Sequence, residues 1–412
     1  MARPGARPPL EGGLPGLLRE QPWLLQATIV SVGALVVLGT AFFVPNSIIF
    51  GIPDYGGSGL ELVEGTVIEV LGTEEIDPAD QGFEGSVQVI QDLRVELTQG
   101  EFSGDVVDIR QGTLGVGDDA IPYSAGDRVL LSTGELPDGT RVFNIQDYVR
   151  SDNLMLLLTA FVIAVVVVGG WQGARSVIAL GVTLLILIKF IIPGILAGHD
   201  AVLITLVGVI AATVPALLLS HGLNWKTAAA ASGAAVALII TGVLAYISVE
   251  AMDFTGVFSD EATFVQSQTA GQVSLRGLLL AGILIGSLGV LYDVTVLQAS
   301  TIFELKRADP SLGFGELFVR ASRVGRDHVA ATVDTLVLAY AGASLPILLL
   351  VTIQAQPFEQ LVNREFIAEE IVRALVGSLG IIAAVPLTNV IAAWIAEQRF
   401  DAGSEQERTE PA

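Results

Sequence analysis

The sequence predicts an α-helical polytopic membrane protein of about eight transmembrane helices, carrying a small extracytoplasmic β-barrel-like domain. Composition is the first reason: 52% of residues are hydrophobic and 16% charged, where a typical soluble domain is about 25% charged. Runs of about 20 apolar residues, recurring along the chain, are the second, because that length crosses a hydrocarbon core as a helix. The third is the uneven placement of charge: residues 52–150 hold nearly half of all the acids and alternate apolar with polar.

Residues 1–22 form a polar, Pro/Gly-rich tail with Arg3, Arg7 and Arg19. The apolar run Trp23–Val44 follows. It is too long for a signal-peptide core and no small-x-small cleavage site comes after it, so residues 23–50 are predicted to be an uncleaved transmembrane anchor. Residues 51–150 form the β-rich domain. Its strands are predicted from period-two alternation, as in Leu62–Val70, Ser86–Ile90, Leu93–Leu97 and Val106–Ile109. Turn residues such as Gln99-Gly100, Ala125-Gly126-Asp127 and Pro137-Asp138-Gly139 separate them. Five or more short strands in this length suggest a small barrel of OB type.

Residues 151–398 are predicted to contribute seven helices, near 153–169, 176–196, 202–220, 227–248, 276–298, 329–352 and 373–396. Residues 399–412 form a second tail. With both termini cytoplasmic, the inner loops hold Arg175, Lys226, Lys306, Arg307, Arg320, Arg323 and Arg326, and the short outer loops hold Arg276, Arg364 and Arg373. That bias follows the positive-inside rule and places the acidic domain outside a bacterial-type cell membrane. In the inner loop 299–327, Phe314, Leu317, Phe318, Ala321 and Val324 recur at helical spacing, with Arg320, Arg323 and Arg326 between them. This pattern predicts a basic amphipathic helix lying on anionic lipid head groups.

Several function classes are excluded. With no cysteine, thiol chemistry and Cys-based metal sites are absent. With three histidines, His199, His221 and His328, a histidine-rich metal site is not expected. A net charge of −22 argues against a nucleic-acid partner. No Gly-x-x-x-x-Gly-Lys-Ser/Thr, His-Glu-x-x-His or Gly-x-Ser-x-Gly motif is present, so neither ATP drive nor a hydrolase is predicted, and no cofactor is implied.

An ionisable residue inside a span costs about 2.5–3.5 kcal/mol on insertion scales, so each one needs a reason. Asp293 lies about 26 Å along its inward-running span, in the inner leaflet. Asp334 lies about 9 Å into the next, outward-running span, at similar depth. Thr388 and Asn389, beside the helix breaker Pro386, fall in the same layer. Gly282, Gly286, Gly289 and Asp293 recur on one helix side. These seven residues are the candidate solute or ion path, although close helix packing would use the same glycines. Asp327 precedes an apolar run and is placed to cap its helix; with His328 it is also a candidate proton relay. Lys189 is expected to snorkel outward and His221 to be interfacial. The tetrapeptide Gly-Ser-Leu-Gly occurs at 286–289 and again at 377–380.

The run Gly286-Ser287-Leu288-Gly289-Val290-Leu291-Tyr292-Asp293-Val294-Thr295, with Gln298-Ala299-Ser300 and Phe303-Glu304-Leu305, resembles the YibE/F-like family of bacterial membrane proteins. So do Gly325-Arg326-Asp327-His328 and Leu336–Pro346. Shorter matches are Ser220–Asn224, Asp147–Arg150 and Val385–Thr388. The resemblance covers most of the chain after the first span. It implies a multi-span membrane protein with an extracytoplasmic domain, and no reaction. In similar proteins position 292 is often acidic and position 334 often asparagine, so Tyr292 and Asp334 depart from the pattern.

These observations lead to a permease or secondary transporter for a small solute or ion, rather than an enzyme. The competing reading is a non-transporting scaffold or sensor whose acidic outer domain binds a partner or a cation. A remote third is an intramembrane aspartyl protease using Asp293 and Asp334; Thr332-Val333 before Asp334 lacks the glycine context of that class.

Overall fold

The computed structural model describes residues 61–76, 86–116, 122–135, 141–257, 259–353 and 357–409. The predicted anchor at 23–50 and the first tail lie outside them. The described residues fall into two compact units that meet in sequence between Ala164 and Val165.

The first unit is an antiparallel sheet of β1 (Glu61–Ile76), β2 (Ser86–Leu97), β3 (Val106–Val116), β4 (Arg128–Glu135) and β5 (Arg141–Tyr148). The strand order is β3-β2-β1-β4-β5. This is the order of strands around an OB barrel, but β3 and β5 share no ladder and remain the two edges. The expected barrel is therefore a curled half-barrel.

Its core follows the alternation. Val63 and Val67 on β1 face Leu131 and Val95 across the ladders, and Leu93, Leu97, Ile109, Val129 and Ile145 complete the cluster. A bulge between Val67 and Glu69 inserts one residue into β1, so the inward set shifts to Val70 and leaves Ile68 and Leu71 on the outside. Gly65 sits where a Cβ would lie 2.7 Å from Val95 Cγ1, so the two neighbouring strands meet over a residue without a side chain.

The outer face carries charge. Arg94 bridges Asp108 at 2.9 Å and Glu69 at 3.3 Å, and Arg128 bridges Glu64 at 2.7 Å and Asp152. The hydrogen bond from Arg94 holds the Asp108 carboxyl below its ordinary range. These pairs are exposed and contribute little to stability.

The helices begin with α1 (Ser151–Ile186), which runs through a π-turn at Leu187–Ile191 into α2 (Ile192–Leu196). The rest are α3 (Ala201–His221), α4 (Trp225–Ala251), α5 (Asp260–Gln268), α6 (Leu275–Ala308), α7 (Phe314–Ala343), α8 (Leu345–Ile353), α9 (Phe358–Leu361) and α10 (Glu365–Thr409). Side-chain caps open several of them. Asp200 accepts from Leu203 N at 2.8 Å, Asn224 from Thr227 N at 2.8 Å, and Ser274 from Gly277 N at 3.2 Å.

Five of these helical stretches are long and apolar enough to cross a membrane, and six if the pair α7–α8, bent by 63°, is one span. The first of the five, Ser151–Leu196, is not straight. Gly170 has φ 56° and ψ −139°, a conformation open to glycine, and a Cβ on Gly173 would lie 2.2 Å from the Val165 carbonyl oxygen. Residues eight apart in a straight helix would be separated by about 12 Å of rise. The chain therefore turns sharply between the two segments predicted at 153–169 and 176–196.

α6 lies at the centre of the second unit, packing on α3, α4, α7 and α10. The contacts among α4, α6 and α10 are close because small residues face inward. A Cβ on Gly233 would lie 2.3 Å from Thr388 Oγ1, and one on Gly380 2.2 Å from Thr241 Oγ1. The outward faces carry large apolar side chains such as Leu203, Ile239, Val243, Leu375 and Trp394. Such belts suit a lipid surround.

Three sequence expectations are corrected in this region. Residues 299–308 are not loop: they continue α6, and the turn before α7 is only 309–313. Lys306, counted among the inner basic residues, is 2% exposed and donates to the carbonyls of Pro310 and Leu312, both at 2.9 Å, closing that turn. α7 then runs without interruption through Asp327, which lies well inside the helix and caps nothing. The apolar face of the amphipathic stretch also has a different cover. Leu317 and Ala321 are fully buried against Ile302, Phe303, Ala392 and Ala396, so the bundle covers much of that face, while Arg320, Arg323 and Arg326 stay exposed.

Candidate functional site

Asp293 faces into a crevice of about 730 Å³ within the second unit. Its walls come from the latter half of α1, from α3 and from α6, and His328 of α7 closes one side. The sequence builds it simply. On α6 the face that carries Leu284, Leu291 and Val294 is buried, and the opposite face, with Gly282, Gly286, Gly289 and Asp293, is left open. Nothing lies within 4 Å of a Cβ added at Gly282 or Gly289, so these two glycines do not serve close packing. Gly286 is the exception, since an added Cβ would lie 2.6 Å from Tyr340 Oη.

The crevice is mainly apolar, with polar groups gathered near one end. Asp293 lies within electrostatic reach of His221, at the end of α3, and of His328. His328 Nε2 is buried and has no hydrogen-bond partner among the described residues. Tyr292 donates to Thr213 Oγ1 at 3.0 Å, and Thr213 in turn donates to Val209 O at 2.7 Å, so the tyrosine is tied to the α3 wall. Arg175 and Lys226 lie near His221 and put positive charge beside that end. Arg175 also donates to Leu218 O at 3.3 Å. Among the described residues no group of three His, Cys, Asp or Glu side chains is drawn together to hold a metal. A carboxylate facing two imidazoles in an apolar cleft can accept a cation or exchange a proton.

The structure divides the predicted path residues. Asp293, Gly289 and His328 share the crevice. Asp334 and Asp327 are exposed on other faces of α7 and line none of it. Thr388 and Asn389 are fully buried on α10 and form a separate polar seam. Asn389 Nδ2 donates to Ser322 Oγ at 3.2 Å; Asn389 Oδ1, Thr388 Oγ1 and both amide atoms of Gln298 are buried without a partner among the described residues. Gln298 packs beside Gly325, one turn along α7 from Ser322.

Sequence reasoning gave His221 and Gln298 little weight. The signal for Gln298 was an amide within an apolar helix, which needs a partner wherever it is buried. His221 carried no such signal, because a histidine at a helix end is ordinary.

Long apolar helices packed through small residues around a largely apolar crevice define a membrane-embedded, multi-pass protein. The chain belongs to the YibE/F-like protein family, which matches residues 157–398, more than half of its length. The half-barrel and the motif Asp147–Arg150 precede the matched region. No curated protein and no solved structure matches the chain.

Proposed function

We propose that this protein is a permease or secondary transporter that moves a small solute or ion through the crevice, with Asp293 as its binding group. The observation that carries the reading is a carboxylate presented to an open, largely apolar cleft of about 730 Å³, where Gly289 beside it leaves the space unfilled. It acts by binding and passage, not by covalent chemistry. The aspartyl-protease reading is disfavoured because Asp334 does not share the cleft with Asp293. In proteoliposomes holding the pure protein, a panel of small cations and organic solutes should include one whose flux exceeds empty vesicles several-fold and responds to an imposed proton gradient. Flux equal to empty vesicles for every solute favours the scaffold or sensor reading, which the two unpaired edges of the half-barrel also suit.

The proposed setting is a bacterial cell membrane, with eight spans, both termini cytoplasmic and the half-barrel outside. The bias of Lys and Arg between short loops supports that orientation, and the exposed Arg320, Arg323 and Arg326 suit anionic head groups. A protease site inserted near Gly117 should be cut from outside intact protoplasts, and one near Ser311 should be protected. The reverse pattern overturns the orientation.

A further inference from the structure

Glu369, on the second turn of α10, is the most anomalous charge-bearing group in the helical unit. It is 1% exposed, and neither carboxyl oxygen receives a hydrogen bond from any N–H or O–H donor in the described structure. A buried carboxylate normally takes two or more such bonds. Four residues earlier on α10, and so on the same helix face, stands the carboxyl of Glu365, within electrostatic reach of Glu369.

Glu365 is fully engaged on its other side. It accepts from Thr255 N, from Thr255 Oγ1 at 2.8 Å and from Gly256 N at 2.9 Å. These donors belong to the loop between α4 and α5. Gly256 has φ 82°, and a Cβ there would lie 2.4 Å from the Leu275 carbonyl carbon, so the loop is pressed onto the first turn of α6. Arg276 fastens the same loop by donating to Phe254 O at 2.8 Å and to Glu250 at 3.0 Å.

Two facing carboxyl groups attract one another only when one proton lies between them. The asymmetry assigns it: Glu365, with three donors, is the anion, and Glu369, with none, is the acid that donates. Arg373 reaches Glu369 electrostatically but forms no hydrogen bond with it in the described structure. Glu370 and Arg373 pair with each other on α10 at 2.5 Å, Arg276 pairs with Glu250, and Tyr340 of α7 lies within electrostatic reach of Arg373 and Glu370.

We propose that Glu365 and Glu369 form a proton-binding site that holds one exchangeable proton, and that this proton latches the 254–256 loop onto α10. The site lies at the Leu275 end of α6, about 26 Å along that helix from Asp293. It does not depend on solute passage through the crevice. As pH rises and the proton leaves, two anions face each other, and the Glu365 contacts to Thr255 and Gly256 open.

Infrared difference spectroscopy on the purified full-length protein in lipid, titrated across neutral and alkaline pH, tests this. The wild type should show a protonated-carboxyl C=O band that disappears as pH rises. The band should be missing in E369Q, whose amide donates in place of the acid, and in E365Q, whose amide donates to Glu369 and removes the need for a proton. The two variants are independent, so E365Q carries the test if E369Q does not fold. A titrating band that persists in the folded variants overturns the proposal. So does a melting temperature that rises with sodium or potassium chloride but not choline chloride and loses that rise in E369Q, which assigns the carboxylates to an alkali cation instead.

Discussion

Asp293→Asn should abolish the proposed flux in proteoliposomes while the protein still reaches the membrane in wild-type amounts. The substitution is nearly isosteric and removes only the charge. The residue is exposed to the crevice and makes none of the buried contacts of α6, so the bundle has no reason to fail. If Asp293 binds the cation or carries the proton, no other carboxylate in the cleft replaces it. Asp334→Asn should leave at least half of the flux, because that side chain lies outside the crevice. Equal, mild losses in both variants would remove Asp293 from the path. Loss of folding in Asp293→Asn alone would give it a structural role.

The largest stability effects fall on glycines at the helix contacts. Gly233→Val and Gly380→Val each place a branched side chain where a single Cβ already meets a threonine at 2.3 and 2.2 Å. Both threonines, Thr388 and Thr241, are fully buried and cannot swing into open space. Overpacking of this kind costs about 1–3 kcal/mol per site, often more when backbones must part. Each variant should lower the melting temperature in detergent by several degrees and reduce the yield of folded protein. Gly289→Ala is the control: its added methyl meets nothing within 4 Å, so stability should be unchanged while the cleft loses volume. A Gly233→Val protein as stable as the wild type would mean that α4 and α10 are not packed as described.

The two copies of Gly-Ser-Leu-Gly explain why part of the site was hidden. The sequence presents them as equivalents, each ahead of a polar residue. In α6 only Leu288 and Gly289 of the copy line the crevice. In α10 Gly377 and Gly380 are filled by Leu336 and Thr241. Helical periodicity places residues on a common face, but what lies opposite that face depends on residues from other helices. Depth estimates had the same limit. They put Asp293, Asp334 and Asn389 in one layer, but azimuth around the helix axis separates them into a cleft, an exposed face and a buried seam.

What was legible came from strong local patterns. The apolar runs marked the helical segments after residue 150, and alternation marked strands that contain every predicted piece of the sheet. The ends were less legible. α10 begins at Glu365, ahead of the predicted 373, because the charges Glu365, Glu369, Glu370 and Arg373 read as loop although they pair or bury within the helix. The shift of the inward face after Val67 was also unreadable, since a bulge depends on the partner strand.

The unclosed sheet bears on how crowded copies of this protein tolerate one another. An edge strand offers unpaired backbone groups to any neighbour, and the usual safeguard is charge along that edge. β3 carries Asp108 and Arg110, and β5 carries Arg141 and Asp147, so each rim presents both signs. Arg141 is steadied over the Phe102 ring at 4.5 Å. The colloidal behaviour of the half-barrel is thus set by ions in the surrounding medium: its rims keep their guard at low ionic strength and lose part of it as salt shortens the reach of each charge.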